Sequence, residues 1–379
     1  MTETGDAAAR PSAVRLTLRQ PQGETSLLFG AGLAGAPELA AALAGRTVFA
    51  LSTQDLRALH GERIAGLLAP AGRLVELEAP DGEAAKSLEV ALPLWRQMLA
   101  SGGKRDSLLV AIGGGSLTDL GGFLAGTFLR GIDLVQVPTT LLAMVDAAIG
   151  GKTAVDLPEG KNTVGVFYHP ALVVADTDFL ATLPAGELRS GLVEAIKMAA
   201  MLGPELLARI EEDLPALLAG SSKALLQVVA GAAAAKCWVV ERDPTEEGPR
   251  KVLNFGHTLG HAIEGVLGYS GLRHGEAVAY GMLFAMRLQE GRPEADPGFF
   301  ARLHRLLSRL ELPPLPLGPG DAPALLAFMA RDKKAGEAGL TWVMPTRLGE
   351  HQLRQGLPPG EVAAVLKRFL ADPWAAARV

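Results

Sequence analysis

Short apolar runs alternate with helical patterns through the first half of the chain, and this alternation limits the possible folds most strongly. The apolar runs lie at residues 47–51, 74–77, 107–112, 132–137 and 172–175. Helical patterns separate them, for example at 55–68 and 83–99. Strands that alternate with helices form mostly parallel sheets, and the unbroken run SLLVAI is typical of a strand covered on both faces. We therefore predict an N-terminal α/β domain with a mostly parallel, Rossmann-like sheet.

The pattern changes after residue 183, where a Pro-Ala-Gly sequence interrupts the alternation. Only residues 340–343 resemble a strand beyond this point. The remaining periodic segments have helical spacing and lie at 186–201, 204–218, 221–241, 256–266, 275–287, 299–310 and 322–331. We therefore predict two domains, an α/β domain at 1–184 and an all-α domain at 185–379.

Composition excludes several classes of protein. The formal net charge is −5 and no basic run stands out, which argues against a nucleic-acid partner. The single cysteine, Cys237, excludes an internal disulfide and fits a reducing compartment. The N-terminus does not have the pattern of a signal peptide, and no apolar run approaches the roughly 20 residues that a membrane helix needs. A cytoplasmic protein with no membrane partner is predicted.

A glycine-rich turn follows the apolar run LLVAI. Gly113–Gly115 lie between this predicted strand and a helical pattern, within AIGGGSLTDLGG. Glycines at such a place let the main chain approach a pyrophosphate, and the next helix offers free N–H groups. A tight turn without a ligand is the alternative, because the full G-x-G-x-x-G pattern is absent. The position at the end of a parallel strand favours the ligand.

The sequence Gly151-Lys152-Thr153 resembles the end of a nucleotide-binding P-loop but does not meet its requirements. That motif needs a glycine five residues before Gly151, where this chain has Asp146. The segment also follows a helical pattern instead of a strand. A nucleoside-triphosphate kinase is therefore excluded.

Three of the seven histidines lie within VLNFGHTLGHAIEGVLGYSGLRHGEA. His257 and His261 are four residues apart, so a helix places both on one face. His274 follows, with Glu264 and Glu276 nearby. Imidazoles are common zinc ligands, and a catalytic zinc usually takes three protein ligands. A polar helix face with a loop histidine is the alternative, and a second stretch, GLVEAIK at 191–197, favours the metal.

Several cationic residues stand beside glycine, asparagine or apolar residues instead of among other charges. Lysines in the settings GGKT and EGKN are candidates for phosphate or carboxylate contacts, although each one alone could be a solvated side chain. Together they indicate a substrate with more than one negative charge. The residues concerned are Lys152, Lys161, Lys197, Lys236, Arg250, Lys333 and Lys334.

Six blocks in order resemble the 3-dehydroquinate synthase family, within the wider group of sugar-phosphate cyclases. They are GGGSLTDLGGFLAGTFLRG, VPTTLLAMVDAAIGGKT, EGKNTVGVFYHP, LRSGLVEAIK, LNFGHTLGHAIE and HGEAVAYGM. The resemblance extends from about residue 81 to residue 286, with a further match at RDKK, residues 331–334. It implies an NAD- and zinc-dependent lyase, usually a homodimer, with an NAD-binding domain followed by a helical metal- and substrate-binding domain.

The resemblance also implies roles for individual residues. The implied ligands of zinc, or of cobalt in the same place, are Glu194, His257 and His274. Around NAD it places Asp81, Gly82, Glu83, Lys86, Gly113, Gly114, Gly115, Ser116, Leu117, Thr118, Asp119, Thr139, Thr140, Lys152, Lys161, Phe179, Leu180, Ala181 and Thr182. Around the substrate it places Arg130, Asp146, Lys152, Asn162, Lys197, Lys236, Arg250, Asn254, His261 and one of Lys333 and Lys334. Of these, Asp146, Lys152, Asn162, Lys197 and His261 are the implied catalytic residues, and Arg130 is implied to reach the neighbouring subunit.

Two positions depart from the family pattern. Thr118 stands where relatives often have glycine, and Thr53 stands where many have an acid that binds the adenine ribose. The implied substrate is 3-deoxy-arabino-heptulosonate 7-phosphate, which carries a phosphate and a carboxylate. The alternatives are a cyclase acting on another heptulose 7-phosphate, a zinc- and NAD-linked polyol-phosphate dehydrogenase, and a non-catalytic dinucleotide-binding scaffold.

Overall fold

The computed structural model describes residues 13–21, 23–332 and 340–375. The chain divides into two compact units. The first comprises Met1–Thr182 and Gly220–Ala230, and the second comprises Leu183–Ala219 and Gly231–Val379. The assignment of NAD binding to residues 1–184 and of metal and substrate binding to residues 185–379 stays a prediction.

The first unit is built on a mostly parallel sheet. Its strands are β1 (Val14–Gln20), β2 (Gly23–Gly30), β3 (Thr47–Ser52), β4 (Arg73–Glu78), β5 (Leu108–Gly113), β6 (Asp133–Pro138), β7 (Lys152–Leu157), β8 (Gly160–Phe167) and β9 (Leu172–Asp176). Seven of these form one sheet in the order β1-β2-β9-β6-β5-β3-β4. The β1–β2 pair is antiparallel, and the other pairs of this sheet are parallel. The predicted Rossmann-like α/β fold is confirmed, because all five predicted strands lie in this sheet.

Helices pack on the sheet through a continuous apolar core. The helices are α1 (Pro37–Leu43), α2 (Gln54–Leu68), α3 (Leu88–Ala100) and α4 (Gly115–Thr127). Phe49 and Leu109 from the sheet belong to the same buried cluster as Met98 of α3 and Leu120 and Leu124 of α4. All six residues of β5 are buried, which is why LLVAIG lacks polar alternation.

The strands β7 and β8 form a separate antiparallel hairpin that the sequence pattern did not predict. Lys152 pairs with Phe167, and Val155 pairs with Val164. Residues along β8 are half-buried or exposed, so the hairpin lacks the apolar run that marks the other strands. Gly165 is required by packing, because a Cβ there would lie 2.2 Å from the carbonyl oxygen of Thr153.

The second unit is mainly helical. Its elements, with α7 shared between the two units, are α5 (Ala185–Leu202), α6 (Pro204–Leu218), α7 (Ser222–Arg242), α8 (His257–Val266), α9 (His274–Gln289), α10 (Pro297–Ser308), α11 (Ala322–Asp332), β10 (Thr341–Arg347), β11 (Glu350–Gln355) and α12 (Pro359–Ala371). All seven predicted helices are present. The partner strand β11 and the last helix, α12, were not predicted.

The hairpin and α12 complete the core of this helical unit. The ring of Phe284 on α9 lies 5.5 Å from that of Phe369 on α12 and 6.1 Å from that of Trp342 on β10. Aromatic pairs at such distances contribute about 0.5–1.5 kcal/mol beyond the burial of their area. The C-terminal elements therefore cover α9, the helix that begins at His274.

Within the part of the chain that the structure describes, one helix is long and apolar enough to cross a membrane by length and composition, contrary to the expectation from the sequence. It is Ser222–Arg242, and 61% of its most apolar window is buried inside the structure. Buried core helices can be equally long and apolar, so the length and composition of this helix are weak evidence for a membrane span.

Candidate metal and substrate site

Glu194, His257 and His274 converge in the second unit. Each offers one ligand atom, and these three atoms lie within 4.8 Å of one another. Glu194 lies within α5 and is fully buried, whereas His257 and His274 are the first residues of α8 and α9. Three helices thus bring together the carboxylate and imidazoles for which the resemblance implies metal binding.

Glycines allow these three helices to approach one another at main-chain distance. A Cβ at Gly275 would lie 2.1 Å from the carbonyl oxygen of Ser190, which joins α9 to α5. A Cβ at Gly281 would lie 1.8 Å from the carbonyl oxygen of Gly256, which joins α9 to the start of α8. Gly256 itself has φ 82°, a conformation that favours glycine. Glycine therefore sets the spacing of the helices, and with it the position of His257.

Hydrogen bonds turn both imidazoles so that Nε2 faces Glu194. Nδ1 of His274 lies 3.1 Å from a carboxylate oxygen of Glu264, and Nδ1 of His257 lies 3.3 Å from the carbonyl oxygen of Phe255. Each Nε2 then lies 3.9 Å from Oε1 of Glu194. Acceptors at Nδ1 fix the tautomer and orientation of histidines that bind metals. The three donor atoms are therefore close enough and suitably turned to bind one metal ion.

The surroundings of Glu194 also suit a cation. Neither of its buried oxygens has a well-directed hydrogen bond among the described residues, although Nζ of Lys197 lies 2.5 Å from Oε2. Buried carboxylate oxygens are normally satisfied by hydrogen bonds or by a metal. One carboxylate and two imidazoles are a common ligand set of catalytic zinc. The residues present therefore fit a divalent cation.

Glu264 makes His274 more basic than an ordinary histidine. Burial lowers the pKa of His274, but the hydrogen bond and negative charge of Glu264, together with the charge of Glu194, outweigh burial and raise it. No role for Glu264 was predicted from the sequence. Its signal was its place one turn after His261, on the face of α8 that carries both histidines of that helix.

His261 lies at the edge of the same cluster. Its ring centroid is 5.2 Å from that of His257 and 6.0 Å from that of His274. With Glu264 and His274 it forms a second group of possible ligand atoms within 4.8 Å, but His261 is exposed whereas Glu194 is buried. This exposure is compatible with the implied contact between His261 and a bound substrate.

Glu246, which was given no role from the sequence, lies beside two implied substrate residues, Arg250 and Asn254. Arg250 is buried; it donates to the carbonyl oxygen of Pro244 at 2.5 Å, and its Nε lies 3.9 Å from Glu246. Nδ2 of Asn254 donates to Glu246 at 2.6 Å. Glu246 has φ 63°, which is uncommon for a residue with a side chain. Lys236, which is also implied to lie around the substrate, is buried on α7.

The glycine-rich turn lies between β5 and α4 in the first unit. Gly114 is the N-cap of α4, and the amide of Thr139 donates to the carbonyl oxygen of Gly113 at 2.9 Å. A Cβ at Gly114 would lie 3.2 Å from Thr140. The implied NAD segments 113–119 and 139–140 therefore meet at the carboxyl edge of the sheet, where ligands of such folds bind. Thr118 is buried and donates to the carbonyl oxygen of Gly115.

Lys86 connects three other implied residues of the first unit. Its buried Nζ donates to Asp119 at 2.7 Å and to Oδ1 of Asn162, and it lies 3.9 Å from a carboxylate oxygen of Glu83. Lys161 forms an ion pair with Glu83 at 3.0 Å. Asn162 has φ 55° and lies in the β7–β8 hairpin. The implied NAD residues Asp81 and Gly82 begin the same 3₁₀ turn as Glu83.

The other implied residues of the first unit lie on short elements. Asp146 belongs to a π-helical turn, Ala143–Ala147, and Lys152 is the exposed first residue of β7. The segment 179–182 belongs to a 3₁₀ helix in which Oγ1 of Thr182 lies 2.7 Å from Nε2 of His60. Thr53 is the buried N-cap of α2, where its hydroxyl accepts from the amide of Leu56 at 3.1 Å. Thr53 therefore serves as a helix cap at the position where the resemblance implied an acid.

Arg130 occupies a strained turn after α4. Leu129 and Arg130 have φ values of 52° and 66° and are followed by Gly131 with φ 119°. Consecutive left-handed residues with side chains are rare and tend to occur at functional sites. Lys333 and Lys334, also implied around the substrate, lie outside the described residues.

Comparison with known families gives two matches that together extend through most of the chain. The family described as 3-dehydroquinate synthase N-terminal matches residues 76–190, and the one described as 3-dehydroquinate synthase C-terminal matches residues 191–335. The chain is 44% identical over 326 residues to a 3-dehydroquinate synthase of Symbiobacterium thermophilum, covering 84% of this chain and 89% of that protein. It is 42% identical over 346 residues to one of Methylococcus capsulatus, covering 90% and 96%.

Solved structures share the fold over nearly the whole chain. A 2-deoxy-scyllo-inosose synthase complexed with carbaglucose-6-phosphate, NAD+ and Co2+ has a TM-score of 0.84 and 26% identity, covering 94% of this chain and 99% of that one. A 2-epi-5-epi-valiolone synthase from Streptomyces hygroscopicus with NAD+ and Zn2+ has a TM-score of 0.81 and 29% identity, covering 92% and 97%.

The fold and these relatives define an enzyme of the sugar-phosphate cyclase group. Within that group, the chain belongs to the 3-dehydroquinate synthase family.

Proposed function

We propose that the protein is a cytoplasmic 3-dehydroquinate synthase that uses NAD and a divalent metal, zinc or cobalt. It converts 3-deoxy-arabino-heptulosonate 7-phosphate to 3-dehydroquinate and phosphate, a step of aromatic amino-acid biosynthesis. The observation that carries this proposal is the convergence of Glu194, His257 and His274, with no directed hydrogen bond to either Glu194 oxygen among the described residues.

The relatives support the choice of both cofactors. One structure of the same fold contains NAD+ and Co2+, and another contains NAD+ and Zn2+. When bound, the metal would supply Lewis acidity to the substrate hydroxyls, and NAD would supply a reversible hydride acceptor. Glu194 with two neutral imidazoles leaves a divalent ion with a net charge of about +1, by simple addition of formal charges.

The residues around Glu194 supply orientation and electrostatics in this proposal. Lys197, whose Nζ lies 2.5 Å from Glu194, would orient a substrate hydroxyl beside a metal held by this carboxylate. His261, at the exposed edge of the cluster, contacts substrate beside the ion. Asp146 orients the hydroxyls and holds no metal.

The cationic residues recognise the two anionic groups of the substrate. Arg250 and Lys236 pair with the carboxylate, because a buried guanidinium or ammonium gains most from an anionic partner. Lys152 and Asn162, both on the β7–β8 hairpin, hold the phosphate, with one of Lys333 and Lys334 adding a further contact.

One assay tests the activity and its nearest alternatives together. The purified protein is incubated with the substrate, NAD and zinc, and phosphate, 3-dehydroquinate and NADH are followed in parallel. Equal amounts of phosphate and 3-dehydroquinate with no net NADH are expected. Phosphate release from a heptulose 7-phosphate without the carboxylate would instead indicate another cyclase, and NADH accumulation would indicate a polyol-phosphate dehydrogenase.

We also infer a homodimer in which Arg130 reaches the site of the neighbouring subunit. The strained turn at Leu129 and Arg130 supports this role, because an unfavourable conformation persists where surrounding contacts require it. Mixing refolded Arg130→Ala and His257→Ala subunits tests it. If Arg130 acts across the interface, one site of each mixed dimer is intact and activity returns. If Arg130 acts within its own subunit, both sites stay defective.

A further inference from the structure

Asp243 organises the loop that carries Arg250. It is the residue after the end of α7, and its carboxylate is buried, with 7% of the residue exposed. Oδ1 accepts from the amide of Glu247 at 3.0 Å, and Oδ2 accepts from the amides of Gly248 at 2.7 Å and Arg250 at 3.0 Å. Three main-chain donors of one short loop therefore share a single carboxylate.

The same loop presents the groups that the proposed function assigns to substrate. The main-chain amide of Arg250 donates to the Asp243 carboxylate, and the Arg250 side chain begins at the adjacent Cα atom. Glu246, held in a left-handed conformation within the loop, accepts from Asn254 and approaches Arg250. The placement of the Arg250 guanidinium therefore depends on a main-chain path that the Asp243 carboxylate fixes.

We propose that Asp243 is a positioning residue for substrate binding, which acts by holding the loop 244–250 so that Arg250 is placed for the substrate carboxylate. This inference rests on the proposed function and adds a residue to it. Asp243 needs no contact with the substrate in this role, because its effect passes through the main chain at Arg250.

The charge state of Asp243 agrees with this role. Burial raises the pKa of the carboxyl, but the amides of Gly248, Arg250 and Glu247 outweigh it, and the pKa lies below its usual range. Asp243 is therefore ionised at neutral pH, with both oxygens accepting. Asparagine has one acceptor oxygen, and its NH₂ group would face at least one of the three N–H donors.

The experiment compares Asp243→Asn with a matched control, Asp296→Asn. Asp296 also accepts two main-chain amides in the second unit, from Gly298 at 2.8 Å and Phe299 at 3.2 Å, but it caps α10. We expect Asp243→Asn to raise KM for the sugar phosphate about tenfold, as expected when charge-assisted bonds are lost, with kcat within about twofold. Asp296→Asn should leave both constants unchanged, since asparagine is an equally good cap.

A double-mutant cycle separates positioning from a general loss of stability. If Asp243 acts through Arg250, adding Asp243→Asn to Arg250→Ala should raise KM no further. Hydrogen exchange should quicken at the amides of Glu247, Gly248 and Arg250 in Asp243→Asn. Should that variant not fold, Asp243→Glu keeps the charge, displaces it by one methylene and takes its place in the cycle.

Three outcomes have distinct meanings. A wild-type enzyme that releases no phosphate from the substrate overturns the proposed function, and this inference with it. An active wild type with KM unchanged in Asp243→Asn, as in Asp296→Asn, overturns the inference alone. Independent, multiplying effects of the Asp243 and Arg250 variants on KM also overturn it.

Discussion

Glu264 and His274 share a hydrogen bond of 3.1 Å between residues of two different helices, α8 and α9. The bond leaves Nε2 of His274 directed at Glu194. The buried carboxylate of Glu264 therefore does not reach the expected metal position itself but acts on it through the imidazole of His274. Such carboxylate–histidine pairs orient the ligand and increase its basicity.

We predict that Glu264→Gln lowers zinc affinity about tenfold and that Glu264→Ala lowers it further, within the roughly 10–100-fold range of outer-residue substitutions. Glutamine keeps an acceptor for Nδ1 but removes the charge, and alanine removes both. Competition with a chromophoric chelator measures the affinity. Glu212→Gln, at an exposed position of α6, is the control; equal affinity in all four proteins would contradict the role of Glu264.

Glu194→Gln should abolish the stabilisation of the protein by zinc. In the wild type, a metal at a hundred times its Kd raises the free energy of unfolding by about 2.7 kcal/mol, which a thermal melt with and without zinc detects. Without the carboxylate, only two imidazoles remain, beside the ammonium of Lys197. Turnover should fall at least ~10²-fold. A variant with bound zinc and near-normal turnover would exclude Glu194 as a ligand.

The stability difference between the wild type and Asp243→Asn should depend on pH. Folding lowers the pKa of Asp243, so its contribution is complete above the unfolded value of about 3.9. The contribution is lost as pH falls through the lower folded-state value. The variant should be about 1–3 kcal/mol less stable at pH 7, and the two denaturation midpoints should approach each other below about pH 4. A constant difference down to pH 3 would count against an ionised Asp243.

Gly275→Ala should separate α9 from α5. The new Cβ would lie 2.1 Å from the carbonyl oxygen of Ser190, so the main chains must move apart, at a cost of about 1–3 kcal/mol. Zinc affinity should fall as His274 moves away from Glu194. Gly360→Ala in α12, where a Cβ meets nothing within 4 Å, is the control and should be neutral or slightly stabilising. Unchanged zinc binding in Gly275→Ala would show that the site tolerates a helix shift.

The sheet and most of the helices could be predicted because they depend on local periodicity. The apolar run 107–112 predicted β5 to within one residue at each end. The helical spacing at 204–218 predicted α6 with the bounds that the structure shows. The glycine-rich turn was placed correctly at a strand end, because Gly113–Gly115 interrupt an apolar run. The β7–β8 hairpin was missed because β7 buries only three consecutive residues, and β8 is half-buried or exposed throughout and includes Gly160 and Gly165.

The contacts that support the site could not be predicted from spacing. Glu264 and His274 are on separate helices, and their pairing depends on how α8 packs against α9. In the sequence, Asp243 cannot be distinguished from other acidic residues at helix ends. Its role is visible only in the structure, where three main-chain amides donate to its carboxylate. Glu246 likewise reveals its role only when the loop brings it to Asn254 and Arg250. These roles follow from tertiary packing.

The glycine contacts between α5, α8 and α9 have a consequence for how such a protein can change. Main chain rests on main chain at Gly275 and at Gly281, so the distance between Glu194 and the histidines does not depend on the size of neighbouring apolar side chains. Substitutions elsewhere in the core can accumulate without moving the ligands. The framework can therefore acquire new substrate contacts over evolutionary time while its metal chemistry persists.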